Sequence, residues 1–133
     1  MLDTSVVVAL ELVVADELPE ELAIAAVTLA ELAAGPHATG DPAERARRQD
    51  RLQRAEATFD PIAFDAAAAR AYGRIYSAVL ASGRKARGRR AVDLMIAATA
   101  LAADLPLHTR NPVDFEGLAD LVHVSAVALR PSA

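Results

Sequence analysis

Four acidic residues lie in four separate apolar or turn-rich segments, and they constrain the fold of this chain more than any other feature. They are Asp3, Glu31, Asp93 and Asp114. Burying a carboxylate without a partner is costly, so each needs either its own local partner or a partner shared with the others. A divalent cation held by several carboxylates could serve all four. The fold would then have to bring these distant segments together.

Length and composition limit the class of protein. A chain of 133 residues suits one domain with one core, so we predict a single domain over residues 1–133. Hydrophobic residues make up 53% and aromatic residues only 4%, which predicts an aliphatic core. The absence of cysteine excludes disulfides, zinc–thiolate sites and cysteine nucleophiles. No apolar run approaches the roughly 20 residues of a membrane span and no secretory signal is visible, so we expect a cytoplasmic protein without membrane contact.

Short apolar runs alternate with helical segments, which predicts an α/β fold. A short central parallel sheet would be flanked by helices in an α/β/α sandwich. The predicted strands end near Asp3 and cover residues 22–27, 59–64, 105–109 and 121–124. The predicted helices cover residues 4–14, 28–35, 42–57, 66–81 and 92–103, with one further turn from Asn111. The helix over 92–103 is apolar almost all round, which indicates a central, buried position.

A local structural role would also explain each acidic residue. Thr28 and Glu31 have the spacing of a capping box, in which the glutamate bonds back to the amide of the cap residue. Asn111 and Asp114 have the same spacing. Asp3 precedes a predicted helix and could be its N-cap. Taken one by one, these residues leave the structural and the functional interpretation open.

Taken together, the acidic residues favour a shared site. Asp93 lies in the predicted first turn of its helix, where the helix dipole favours an anion. Asp3, Glu31 and Asp114 each follow a predicted strand, and the carboxyl ends of parallel strands face one crevice. Carboxylates that converge there repel one another unless a cation or protons compensate. An all-oxygen ligand set favours Mg²⁺ or Mn²⁺. Neutral supporting groups nearby are Ser5, Thr109 and Asn111.

The four acidic segments, in this order, resemble those of the PIN-domain ribonucleases, specifically the VapC-type toxins of bacterial toxin–antitoxin pairs. The matching pieces are Leu2-Asp3-Thr4-Ser5, Val27 to Leu32, Val92 to Ala98 and Thr109 to Phe115. The resemblance implies a PIN-like fold and Mg²⁺-dependent hydrolysis of RNA, with Mn²⁺ as a possible substitute. It makes Asp3, Glu31, Asp93 and Asp114 the acidic metal site, with Asp3 and Asp93 as the most direct ligands.

The same resemblance implies a cognate antitoxin protein that neutralises the toxin, and we expect a homodimer. One departure from the family lies at the start, where only Met1 and Leu2 precede Asp3. Either the edge of the sheet is trimmed or the true start lies upstream.

Basic residues are concentrated in one short segment of an otherwise acidic chain. The formal net charge is −4, and no Lys or Arg occurs before Arg45. The dense segment is open to two interpretations, a solvated loop or a phosphate-binding loop beside the acidic site. We assign it to RNA binding. Its basic residues are Arg84, Lys85, Arg87, Arg89 and Arg90. A second group of arginines, between Arg45 and Arg54, is interpreted mainly as a solvated helix face, with partner contact as the alternative.

Other functions remain as alternatives. A catalytically silent PIN-fold module could bind RNA or protein, but it would have no reason to keep the charge cost of four acids. A phosphohydrolase of the haloacid-dehalogenase type would need a second aspartate two residues after Asp3, and Ser5 stands there. The histidines are scattered along the chain, so we expect core or surface roles for them. They are His37, His108 and His123.

Overall fold

The computed structural model describes residues 1–84 and 88–131, and it describes the backbone alone of Arg89. The predicted RNA-binding residues Lys85 and Arg87 therefore lie outside the described residues. None of the helices in those two ranges is long and apolar enough to span a membrane. The helices are α1 (Thr4–Val7), α2 (Ala26–Ala34), α3 (Pro42–Thr58), α4 (Ala66–Ala81) and α5 (Arg89–Ala102). Single 3-10 turns occupy Leu10–Leu12, Ala15–Glu17, Gly35–Ala38 and Pro112–Phe115.

The sheet is parallel, as predicted, but its strands are much shorter than the predicted ones. Strands β1 (Leu107–Thr109) and β2 (Val124–Ala126) pair in parallel. Single parallel bridges extend the sheet from β1 to Leu2, from Leu2 to Ile24, and from Ala25 to Ile62. The chain therefore crosses the sheet at five adjacent places. The predicted α/β fold with a short central parallel sheet is confirmed.

The helices lie on both faces of this sheet. In extended backbone, successive side chains point to opposite faces. Met1 accordingly joins a core cluster formed largely by α4 and α5, whereas Leu2 joins a second cluster formed with α1, α2 and α3. Ala25 and Ile24 divide between the same two clusters in the same way. Phe115 is the only aromatic residue among the buried residues that the structure describes, so the core is aliphatic, as predicted.

Helix α5 is the central buried helix that its sequence predicts. Leu94, Ile96, Ala97, Ala98 and Ala100 are all fully buried. α5 packs most extensively against α4, which turns Ile75 and Val79 inward. The predicted helices over residues 42–57 and 66–81 are confirmed, and the aspartate before each one caps it. The Asp41 carboxylate accepts from the amide of Glu44 (3.3 Å), and the Asp65 carboxylate accepts from that of Ala68 (2.9 Å).

Two predicted elements are wrong in extent. The predicted helix over residues 4–14 ends at Val7 and continues as 3-10 turns. Consecutive β-branched valines form helix poorly, and Val13 instead makes an antiparallel bridge with Leu129 near the end of the chain. The last strand starts later than residue 121, because the chain is still turning at Leu121 and Val122, and β2 begins at Val124.

The burial of α5 leads to a test of stability. Leu94→Ala should lower the free energy of unfolding by about 2–5 kcal/mol, because it removes a fully buried side chain from a close-packed core. Leu80→Ala on α4 is the matched control, since that leucine is 53% exposed and its loss should change stability by about 0.5 kcal/mol or less. Urea denaturation of both variants measures the difference. Equal effects would contradict the central position of α5.

Candidate functional site

Asp3 is the most constrained acidic residue. It lies between Leu2, which bridges to the sheet, and the start of α1. Its amide N–H donates to the carbonyl of His108 (3.0 Å). One carboxylate oxygen accepts from the amide of Val6 (3.2 Å) and from the Ser5 hydroxyl (2.6 Å). The other accepts from the Thr109 hydroxyl (2.6 Å). Asp3 is thus the N-cap of α1, as its structural interpretation held, and it also lies among the other acidic residues.

Ser5 and Thr109 are held so that their protons point at Asp3. The Ser5 hydroxyl accepts from the amide of Arg110 (3.1 Å), and the Thr109 hydroxyl accepts from the amide of Asn111 (3.0 Å). Each hydroxyl therefore has its own proton left to donate to the Asp3 carboxylate. Asn111 contributes its backbone amide to this network, while its side chain is exposed and caps nothing.

Burial raises the pKa of Asp3, and the hydrogen bonds from Ser5, Thr109 and Val6 only partly oppose that rise. The residue is 5% exposed. Hydrogen bonds to the charged form lower a carboxyl pKa, whereas desolvation raises it. Here desolvation is the larger effect. A positive charge close to Asp3 would therefore stabilise its ionised form.

Glu31 lies in the interior of α2 and is exposed. Its carboxylate accepts a hydrogen bond from the Thr4 hydroxyl, which also lies 3.2 Å from the hydroxyl of Thr28. The capping-box interpretation of Thr28 and Glu31 is wrong. The bridge at Ala25 passes directly into the helix at Ala26, so Thr28 falls inside α2, where it is fully buried against Thr4.

The pKa of Asp93 depends on the other three acids. Its pKa is raised to about 6, first by burial and then by the charges of Asp114, Glu31 and Asp3. Each of the other three carboxylates therefore lies within electrostatic reach of Asp93. Asp93 is in the second turn of α5 because the helix begins at Arg89, so the predicted first-turn position is wrong.

Asp114 lies in the 3-10 turn Pro112–Phe115 and is partly buried. The capping interpretation of Asn111 and Asp114 is also wrong, since no side chain caps this turn. The turn is held instead by Arg90, whose guanidinium donates to the main-chain carbonyl of Asp114 (2.8 Å). Arg90 also opposes the rise in the pKa of Asp93.

Arg90 is the residue whose structural role sequence reasoning missed. The sequence predicts RNA binding for Arg90 and its neighbours, but the guanidinium of Arg90 ties α5 to the turn that carries Asp114. The signal was present in the sequence, because residues three apart on a helix lie on the same face, and Arg90 precedes Asp93 by three. Arg84 pairs with Glu116. The side chain of Arg89, like Lys85 and Arg87, lies outside the described residues, so an RNA-binding role for this segment stays a prediction.

The donor set fits a hard divalent cation by its chemistry, although it is not preassembled. Within residues 1–84 and 88–131, no three His, Cys, Asp or Glu side chains already form a metal-binding group. The four acids offer only oxygen ligands, which Mg²⁺ and Mn²⁺ prefer. The pKa of Asp93 is raised by burial first and by repulsion from the other acids second, and a bound cation would oppose both effects. Side chains would have to move toward a common centre to hold such an ion.

The histidines stay out of the site. His108 is buried in β1, and burial lowers its pKa. Its Nδ1 has no hydrogen-bond partner among the described residues. His37 and His123 are exposed. The predicted core and surface roles are confirmed.

Comparison with known proteins agrees with the fold. The family model described as PIN domain matches residues 1–121. A member of the VapBC family of toxin-antitoxin systems, VapBC-5 from Mycobacterium tuberculosis, is 35% identical with a TM-score of 0.80, over 94% of each chain. FitAcB from Neisseria gonorrhoeae is 28% identical with a TM-score of 0.71, over 93% of this chain and 94% of that one.

VapBC2 from Rickettsia felis, bound to a DNA fragment from their promoter, shares the fold at 21% identity. Its TM-score is 0.70, and the match covers 96% of this chain and 98% of that one. No curated protein sequence matches the chain. The family model spans most of the sequence, and the 35% identical relative is matched over nearly its full length. The chain therefore belongs to the PIN-domain family and, within it, to the VapC-type proteins of toxin–antitoxin systems.

Proposed function

We propose that this protein is a Mg²⁺-dependent endoribonuclease toxin that hydrolyses RNA phosphodiester bonds and is neutralised by a cognate antitoxin. The observation that carries the proposal is the convergence of the four acids, seen in the raised pKa of Asp93 and its three carboxylate causes. Keeping four repelling carboxylates together destabilises a fold, so a catalytically silent module is the weaker alternative. The proposal places the protein in the cytoplasm as a single domain over residues 1–133 that forms a homodimer.

The proposed chemistry divides between the cation and the chain. Asp3 and Asp93 would hold Mg²⁺ (or Mn²⁺), with Glu31 and Asp114 completing the acidic set. When bound, such an ion stabilises charge on the phosphate and lowers the pKa of bound water. The chain's own part is positioning. Ser5 and Thr109 hold both oxygens of Asp3 in place, and ligands oriented by such hydrogen bonds bind metal better.

The proposal of an antitoxin partner is supported by the similar structures. VapBC-5 is described as a toxin-antitoxin system, and its 35% identity over nearly the full length of both chains supports a partner of that kind here. A toxin that cuts RNA needs to be held inactive in the cell that makes it, and a bound protein over the acidic site would do so.

Metal dependence tests the proposal directly. Purified protein should cleave single-stranded or looped RNA in Mg²⁺ or Mn²⁺, lose that activity in EDTA, and regain it when Mg²⁺ is restored, because all the proposed ligands are oxygens. Gel analysis of end-labelled RNA measures cleavage. Full activity in EDTA would exclude the metal mechanism.

Asp65 is a matched control for Asp3, because both residues cap a helix and only Asp3 belongs to the proposed site. Asp3 and Asp65 each accept from the amide three residues on, at the start of a helix. Asparagine is also a good cap, so Asp→Asn should keep both helices. Asp3→Asn should reduce RNA cleavage by at least about 100-fold, the scale of losing one strong electrostatic contribution, while Asp65→Asn should cleave as the parent does. Equal cleavage by both variants would show that Asp3 is not part of the site.

The pKa of Asp93 predicts a dependence of stability on pH. A carboxyl whose folded pKa is raised stabilises the fold below its unfolded pKa, and that contribution is lost as pH rises through the folded value. Between about pH 4 and pH 7 the parent should therefore lose stability relative to Asp93→Asn. Because Asp93 is only half-buried, we expect the gap in unfolding free energy between the parent and Asp93→Asn to change by about 1 kcal/mol over this range.

Thermal melts at about pH 4.5 and pH 7.5 measure this gap. The same change at Asp120, which is exposed, controls for the loss of one charge. Added Mg²⁺ should raise the melting temperature of the parent more than that of Asp93→Asn, because a ligand of the folded state stabilises it. A gap that does not change with pH would contradict the raised pKa.

A further inference from the structure

A groove of about 520 Å³ runs between α1, α2 and α3 and reaches the acidic site at one end. Thr4 and Glu31 line that end. Arg110 also lines the groove, and its main chain is fixed beside the site because its amide donates to the Ser5 hydroxyl that holds Asp3. Arg51 contributes from α3. Val8, Leu12 and Leu129 are exposed apolar residues of the same lining.

Two arginines of this groove carry charge that no carboxylate matches. Among the described residues, the side chains of Arg51 and Arg110 make neither a hydrogen bond nor an ion pair. Arg48, which also lines the groove, differs because it bonds to the Glu44 carboxylate (3.1 Å) and to the carbonyl of Gly35 (2.9 Å). Glu44 thus offsets Arg48, and the remaining pair of arginines exceeds the one remaining carboxylate of the lining, that of Glu31, so the groove keeps a net positive charge.

The neighbouring groove, of about 440 Å³, is different. Arg47 and Arg54 line only this groove, and both are already paired, Arg47 with Glu44 (2.7 Å) and Arg54 with Glu11 (2.6 Å). Arg51 lines both grooves, and Arg110 lines only the groove beside the acids. The side chains of Arg47 and Arg54 stay 62% and 66% exposed, so the predicted, mainly solvated face of α3 is confirmed. Within that face the paired arginines differ from Arg51, whose side chain reaches the groove beside the acids.

We propose that the RNA backbone on one side of the cut phosphate lies in this groove, with its phosphates on Arg51 and Arg110. The inference rests on the proposed function. Four carboxylates repel a polyanion, so the substrate needs positive charge close to the site but outside it. Arginine binds phosphate with paired, directional hydrogen bonds. The exposed apolar residues of the groove offer contact to riboses and bases.

Salt-dependent binding tests the proposal without any cleavage. The full chain carrying Asp93→Asn is titrated with a fluorescent single-stranded oligouridine in EDTA, between about 50 and 200 mM salt. On this background, Arg51→Gln and Arg110→Gln should each weaken binding and reduce the slope of log K against log salt by about 0.7, because one phosphate contact on a single strand is lost. Arg54→Gln is the control, being on the same helix but paired with Glu11. Circular dichroism melts verify that the variants fold.

Each result has a defined meaning. Reduced slopes for the two groove variants, with an unchanged slope for Arg54→Gln, support the RNA path. Unchanged slopes, or no oligouridine binding by the Asp93→Asn chain, overturn it. A further outcome is that a chain carrying both Arg51→Gln and Arg110→Gln loses binding to an acidic antitoxin peptide while the salt dependence of its RNA binding is unchanged. In that case the groove belongs to a protein partner and the proposal is wrong. Failure of the parent to cleave RNA in Mg²⁺ would count against the proposed function alone, because this assay needs no cleavage.

Discussion

The burial of the Asp3 carboxylate is the constraint on which the rest of the site depends. A carboxylate at 5% exposure must have its oxygens satisfied, and here the donors come from two segments far apart in sequence. Val6 and Ser5 belong to the start of α1, and Thr109 belongs to the end of β1. The same carboxylate thus caps a helix and fixes that helix against the strand beside it. The geometry around Asp3 is therefore a consequence of folding and does not need a ligand to create it.

The convergence of the other acids follows from the direction of the sheet. In a parallel arrangement every strand ends at the same edge, and the segments that follow begin there. Glu31 and Asp114 arrive by α2 and by the turn after β1, and α5 brings Asp93 from the buried side. The Thr4 hydroxyl then orients the Glu31 carboxylate, and Arg90 fixes the main chain of the turn that carries Asp114. Proximity is thus achieved by topology, neutral donors orient Asp3 and Glu31, and one arginine holds the turn.

Sequence was a good guide where local chemistry decides the structure. The caps at Asp41 and Asp65, the all-round apolar character of α5 and the order of acidic segments were all readable from neighbouring residues. It failed where a distant contact decides. The valines after Thr4 fit a helix pattern, but the pairing of Val13 with Leu129 near the other end of the chain draws the segment away from a helix. Thr28 has the right spacing for a cap, but the preceding bridge starts the helix earlier.

The arginines illustrate the same limit for the site. Arg54 pairs with Asp50, four residues earlier on the same helix (3.0 Å), and with Glu11 from another part of the fold (2.6 Å), whereas Arg51 has no such partner among the described residues. The contact with Asp50 was readable from the spacing along α3. The contact with Glu11 was not, because only the fold brings Glu11 beside Arg54.

The way the acids are held bears on what they could bind. Arg90 contacts the main-chain carbonyl of Asp114 and leaves its carboxylate alone. Within the described residues, the carboxylates of Asp93 and Asp114 accept no hydrogen bond. One Asp3 oxygen accepts from both Ser5 and Val6, whereas the other accepts from Thr109 alone and keeps a second lone pair. A site organised only for stability would have matched these charges internally. Leaving them unmatched costs stability, and it keeps oxygen ligands uncommitted at the one edge of the sheet where four segments meet.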